Sequence, residues 1–216
     1  MSKIILLNGP PACGKNIAVA YLKSHFLLRD RHCKDHLFTL MQVFFQLSPR
    51  KFHDIYENRA LKETPLPEFT VTREAAEQLY AIIKKPYLLT NNQRVQLSIR
   101  DAMIYLSECV CKPAFGKTYF GEARAKTITE NELAIDDSCG FEEEIKPTLD
   151  KLGADNVMLI RVRGRGSFEG DSRNFIPDGV VPNTIDVLNH STEQHYLTAI
   201  HTIAYTFYGK ENARVR

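Results

Sequence analysis

The chain has no long apolar run. No window of its 216 residues approaches the roughly 18 apolar positions that a membrane-spanning helix needs, so no membrane partner is expected. Charge of one sign is scarce as well: 28 Lys and Arg stand against 26 Asp and Glu, a net +2. That balance gives no chain-wide field for long nucleic acid, although local basic clusters still suit small anions. Cysteine is used in the manner of a reducing compartment. Of the five, Cys13 lies in a glycine turn and Cys109 and Cys111 share a helical pattern, which is no disulfide framework. The residues His25, His32, Cys33 and His36 match no zinc-ligand spacing, and no G-x-S-x-G hydrolase elbow occurs. Internal repeats and low-complexity segments are missing too. No charged leader followed by a long apolar stretch precedes the first strand pattern, so a cytoplasmic location is the expectation.

With 44% hydrophobic and 25% charged residues, the chain has the composition of a packed globular fold. Its most informative stretch is Gly9-Pro10-Pro11-Ala12-Cys13-Gly14-Lys15-Asn16. It follows the apolar run Ile4-Ile5-Leu6-Leu7 and opens a helix-patterned segment ending near Leu28. A strand, a turn with Gly at both ends and a Lys starting a helix make a phosphate cradle. Backbone N–H groups point inward, the helix N-terminus adds partial positive charge, and the ammonium reaches the outer phosphates. The motif asks for Ser or Thr after the Lys, and here Asn16 stands there.

Further along, strands are expected at residues 3–8, 133–135, 157–162 and 184–188. Helices are expected at 14–28, 34–47, 52–59, 73–85, 98–111, 119–127, 141–152 and 192–208. Thr72 and Ser98 are the expected caps, and Pro49, Pro86 and Pro113 the expected stops. Strands alternating with helices around a nearly all-helical middle predict an α/β fold, a parallel sheet with a helical insertion. The expected organisation is one domain over residues 1–216: core 1–30 and 115–210, insertion 31–114, and a lid loop at 163–175.

Ligands of an open parallel sheet collect beyond the carboxyl ends of its strands. Asp136 and Asp137 end the strand at 133, where a carboxylate can hold Mg²⁺ through water; Asp137-Ser138 is equally a helix cap. A second cluster runs Arg161-Val162-Arg163-Gly164-Arg165-Gly166 and on through Gly170, Asp171 and Ser172 to Arg173. Arginines interleaved with glycines make a cationic loop able to close over phosphate, or else a solvated basic hairpin. A third cluster is Arg100 at a helix start, with Lys112, Lys117 and Arg124 downstream. Tyr119 and Phe120 beside it suit either a base stack or the core.

Taken in order, these segments resemble the bacteriophage deoxynucleoside monophosphate kinase family. The resemblance rests on Ile4 through Lys15; Ser98-Ile99-Arg100 with Phe115-Gly116-Lys117 and Phe120-Gly121; Ile135-Asp136-Asp137-Ser138; and the closing strands around Ile160 to Arg163 and Ile185 to Asn189. It is loose between residues 30 and 95, and Cys139 stands where the family commonly has Arg. The resemblance implies a P-loop NTPase core like that of nucleoside monophosphate kinases, and a location in the host cytoplasm for a phage-encoded chain. It implies ATP-dependent phosphorylation of (deoxy)nucleoside 5′-monophosphates, with ATP and Mg²⁺ as cofactors and the monophosphate as substrate; a homodimer is left open. Under it, Gly9 to Asn16 bind ATP, and Lys15, Arg163, Arg165 and Arg173 act on the transferring group. Arg100, Lys117 and Asp137 bind substrate, and Asn16 and Asp137 hold the metal. The alternatives are a catalytically weak nucleotide-binding regulator and a P-loop kinase of another small acceptor such as a nucleoside.

Overall fold

The computed structural model describes residues 1–84, 93–169, 171 and 173–213. Pro86, the expected stop of a helix, and Gly170 and Ser172 of the arginine–glycine run lie outside the described residues.

In chain order the elements are β1 (Lys3–Asn8), α1 (Lys15–His25), β2 (Arg29–Asp30), α2 (Cys33–Phe44), α3 (Pro49–Glu57), β3 (Thr70–Thr72), α4 (Arg73–Ile83), β4 (Arg94–Gln96) and α5 (Ile99–Ile104). A π-helical stretch, Tyr105–Cys111, carries α5 into α6 (Lys112–Phe115). Then come α7 (Tyr119–Thr127), β5 (Leu133–Asp136), α8 (Lys146–Leu152), β6 (Val157–Arg163), β7 (Asn183–Leu188) and α9 (Glu193–Tyr208).

Five strands form one sheet in the order β2-β5-β1-β6-β7, every neighbouring pair parallel. The protein is therefore α/β, as alternation of strand and helix patterns predicts. β1 lies at the centre, and its uninterrupted apolar run has a direct reason: both of its faces are covered. Ile5 and Leu7 join Ala18 and Leu22 of α1 and Ile200 and Ala204 of α9 on one side. Ile4 and Leu6 join Ile145, Val157 and Leu159 on the other.

By backbone contacts the chain divides into two compact units, Met1–Lys34 with Phe120–Arg216, and Asp35–Tyr119. The first holds the five-stranded sheet. The second holds most of the helices between β2 and α7 together with a two-stranded antiparallel pair, β3 and β4.

Several boundaries differ from expectation. α1 stops at His25 rather than Leu28, because Phe26 turns extended (φ −131°) and inserts into the core. Pro49 does not merely end a helix: it opens α3 at its first turn, where a missing N–H costs nothing, behind Ser48, whose hydroxyl accepts from Lys51 N. Pro113 does not halt the helix begun at Ser98. The helix runs on to Phe115, and the preceding π-helical turns widen the coil where the proline ring would meet the carbonyl four residues back. Residues 141–152 form a 3-10 turn, Glu142–Glu144, before α8 begins. The two-residue β2 and the β3–β4 pair were not expected at all. No helix among the described residues is long and apolar enough to cross a membrane.

Candidate phosphate-binding site

The turn between β1 and α1 takes its shape from two left-handed residues, Ala12 (φ 62°) and Gly14 (φ 105°). Gly14 is the N-cap of α1, and no side chain caps that helix end, so its first N–H groups are left for an incoming acceptor. A Cβ at Gly14 would sit 2.6 Å from Asn189 Nδ2, and one at Gly9 would sit 2.7 Å from both Cys13 Sγ and the Val162 carbonyl. Glycine is thus demanded at both ends of the turn by close neighbours. Asn189, just past β7, donates to the Cys13 carbonyl at 2.9 Å, and the Tyr196 hydroxyl of α9 donates to the Gly14 carbonyl at 3.2 Å. The turn is held from outside by the carboxyl end of another strand.

Lys15 is buried with its ammonium folded into this turn. It donates to the carbonyls of Gly9 (2.6 Å) and Pro10 (2.9 Å) and lies 3.6 Å from Cys13 Sγ. Burial lowers its pKa, aided by the nearby Arg173 charge and opposed by Cys13 and Asp137. Lys15, Arg173 and Asp137 therefore share one electrostatic neighbourhood. Asn16 follows on the exposed side of the first turn.

Beside the turn, β5 presents two carboxylates. Register pairs Leu6 with Asp136, which puts Asp137 at the same sheet edge as the turn. Asp136 is fully buried and ion-paired at 2.5 Å with Arg124, whose guanidinium also donates to the Glu144 carbonyl (2.8 Å) and Thr148 Oγ1 (3.0 Å). Burial alone would raise the Asp136 pKa, but His32, Arg124 and Ser138 hold it well below the usual carboxylate range. Ser138 N donates to Asp136 Oδ1 at 2.6 Å, so the bend here is built on Asp136 and Asp137 caps no described helix. His32 Nδ1 lies 3.2 Å from a carboxylate oxygen of each aspartate. Burial works against its protonation, yet the two carboxylates keep its pKa raised. Lys34 meets Asp137 Oδ1 at 3.1 Å.

The arginines beyond β6 divide. Arg161 is a buried structural cation, held by Asp186 (2.6 Å), Asp178 (2.7 Å) and the Ile176 carbonyl (3.0 Å). Arg163 pairs with Asp186 at 3.0 Å, and its guanidinium lies 4.2 Å from the centre of the Phe175 ring. Arg165 is exposed and donates to the Ser191 carbonyl at 3.1 Å. Arg173 forms a two-pronged pair with Asp171 and packs its methylenes where a Cβ on Gly140 would stand. Gly166 (φ 77°) lies against the turn itself: a Cβ there would come within 2.1 Å of the Pro11 carbonyl oxygen. Gly166→Ala is expected to cost about 1–3 kcal/mol through left-handed strain and displacement of that contact. Thermal unfolding checks this, with a fall of roughly 2–12 °C expected and an unchanged midpoint counting against the contact.

Arg100 and Lys117 belong to the unit Asp35–Tyr119. Arg100 pairs with Glu63 at 2.6 Å, and Lys117 is exposed. Lys112 is buried beside Glu108 (2.9 Å), and Phe120 is buried, as a core aromatic would be. Arg124, grouped in the sequence with these basic residues, is wholly enclosed and is a structural cation. Reasoning from sequence missed His32, Lys34 and Tyr196. The first two lie where β2 ends beside β5, a juxtaposition that only the strand order reveals. Asn189, by contrast, stands at a strand's carboxyl end, a place the sheet-edge rule marks.

The chain matches no family model and no curated protein.

Proposed function

We propose that the protein is a P-loop phosphotransferase that moves the γ-phosphoryl group of ATP to a (deoxy)nucleoside 5′-monophosphate. The observation that carries this reading is the Lys15 ammonium, buried among the Gly9 and Pro10 carbonyls at an uncapped helix N-terminus. Such a cation exchanges weak carbonyl partners for phosphate oxygens at little reorganisation, and the free N–H groups of α1 add to it. The strand order, with β1 between β5 and β6 and the carboxylates of β5 beside the turn, is compatible with a P-loop nucleoside triphosphatase core.

In the reaction, an oxygen of the acceptor's 5′-phosphate forms a bond to the γ-phosphorus. The bond from that phosphorus to the bridging oxygen breaks, and ADP leaves with the electron pair. Charge neutralisation and alignment do most of the work, so no strong base is needed. Lys15 and the loop amides hold the donor, while Arg173, Arg165 and Arg163 supply guanidinium groups for the transferring charge. Arg100 and Lys117 are the residues the resemblance gives to the acceptor phosphate. For Mg²⁺ the donor chemistry fits: Asn16 offers an exposed amide oxygen and Asp137 a partly accessible carboxylate, both hard oxygen ligands. Held there with nucleotide, the ion would supply charge neutralisation to the phosphates.

ADP release coupled to a panel of monophosphates, with ATP and Mg²⁺ present, tests the proposal. Acceptor-dependent release is expected. Release driven by nucleosides instead would redirect the assignment to a nucleoside kinase. Asn16 in the place of a hydroxyl residue and the buried Cys139 favour one rival, a catalytically weak nucleotide-binding regulator. ATP binding without any acceptor-dependent ADP would establish that rival.

A further inference from the structure

Lys34 sits in the first turn of the twelve-residue α2, where the helix dipole disfavours a cation. Its ammonium nonetheless reaches Asp137 Oδ1 at 3.1 Å, and both side chains keep some access to solvent. Asp137 in turn acts on Lys15, which also feels Arg173. Two lysines, Lys34 by direct contact and Lys15 through space, thus act on a single carboxylate at the edge where the β1–α1 turn opens. An unscreened Asp137 would repel a triphosphate, and in most such sites a divalent ion removes that repulsion. Here a tethered ammonium already does so, with His32 on the same carboxylate at 3.2 Å.

We propose that Lys34 is a built-in counter-cation of the donor site, which stays on Asp137 and neutralises it when nucleotide enters, so that ATP binds without needing Mg²⁺. The inference rests on the donor-site reading above and assigns a role to a residue outside the loop motif. Mg²⁺ would then matter for transfer more than for binding. No covalent step is involved.

Calorimetric titration of the full chain with ATP, once in Mg²⁺ and once in EDTA, decides the matter. The wild type is expected to bind in EDTA within about fivefold of its affinity in Mg²⁺. Lys34→Met is expected to weaken binding in EDTA by about tenfold or more, while binding in Mg²⁺ moves by less than about threefold. Lys34→Arg, which keeps the charge, is expected to retain metal-free binding. Lys34→Gln repeats the measurement should the methionine variant fail to fold. Metal-free affinity untouched by loss of the charge, or a wild type that binds only in Mg²⁺, overturns the role of Lys34 and leaves the donor site standing. A wild type that binds ATP in neither buffer overturns both.

Discussion

Arg124→Leu is expected to destabilise the protein by about 3–5 kcal/mol, because it strands the Asp136 carboxylate in a place water cannot reach. Arg124 and Asp136 are both fully buried, and the guanidinium spends its remaining donors on Glu144 O and Thr148 Oγ1. Removing it leaves one charge and two acceptors without their donor. The loss should lower the thermal midpoint by roughly 6–20 °C for a chain of this length. Replacing both members of the pair with apolar residues should recover much of the loss, since no lone charge is then enclosed. A single variant as stable as the wild type would show that the pair holds nothing together. Acid has a related effect of known sign. Asp136 has a depressed folded-state pKa, so its stabilisation is complete above the unfolded carboxylate value of about 4. It fades only as the pH falls below that value towards the folded one.

Lys15→Ala is expected to remove the largest single share of nucleotide affinity and turnover. One preorganised charge in a water-poor site contributes about 2–4 kcal/mol, a factor of roughly 30 to 700. The fold should tolerate the change, because the ammonium's partners are two carbonyls and a thiol of its own turn, all within six residues. Titration with ATP and the acceptor-dependent ADP assay both read the effect, and circular dichroism checks that the variant is folded. Unchanged ATP affinity in a folded Lys15→Ala protein would place the donor elsewhere.

The first strand and the turn after it, residues 3–15, were the most legible part of the chain. An unbroken apolar run means a strand covered on both sides, and Gly9, Gly14 and Lys15 are local requirements of the turn that follows. The caps Thr72 and Ser98 were equally local, since each hydroxyl needs only an N–H three residues on. What escaped reading depends on partners far along the chain. Two residues of β2 carry no periodicity, yet their pairing with β5 is what brings His32 and Lys34 to Asp137. Arg124 looked like one more basic residue on a helix; only the position of α7 over β5 makes it the buried partner of Asp136. Pro113 reads as a terminator in the sequence because nothing in the residue pattern announces the wide turns that accommodate it.

Among the five strands of the sheet, the central one is made before both of its neighbours. β1 leaves the ribosome well ahead of β5 and β6, which begin only at Leu133 and Val157. Until then its apolar faces have no lasting cover, whereas Asp35–Tyr119 is one unbroken stretch whose contacts can close during synthesis. The nascent chain must therefore shelter Ile4 to Leu7 until those strands have been made, and the Lys15 turn acquires its Asn189 and Tyr196 braces later still.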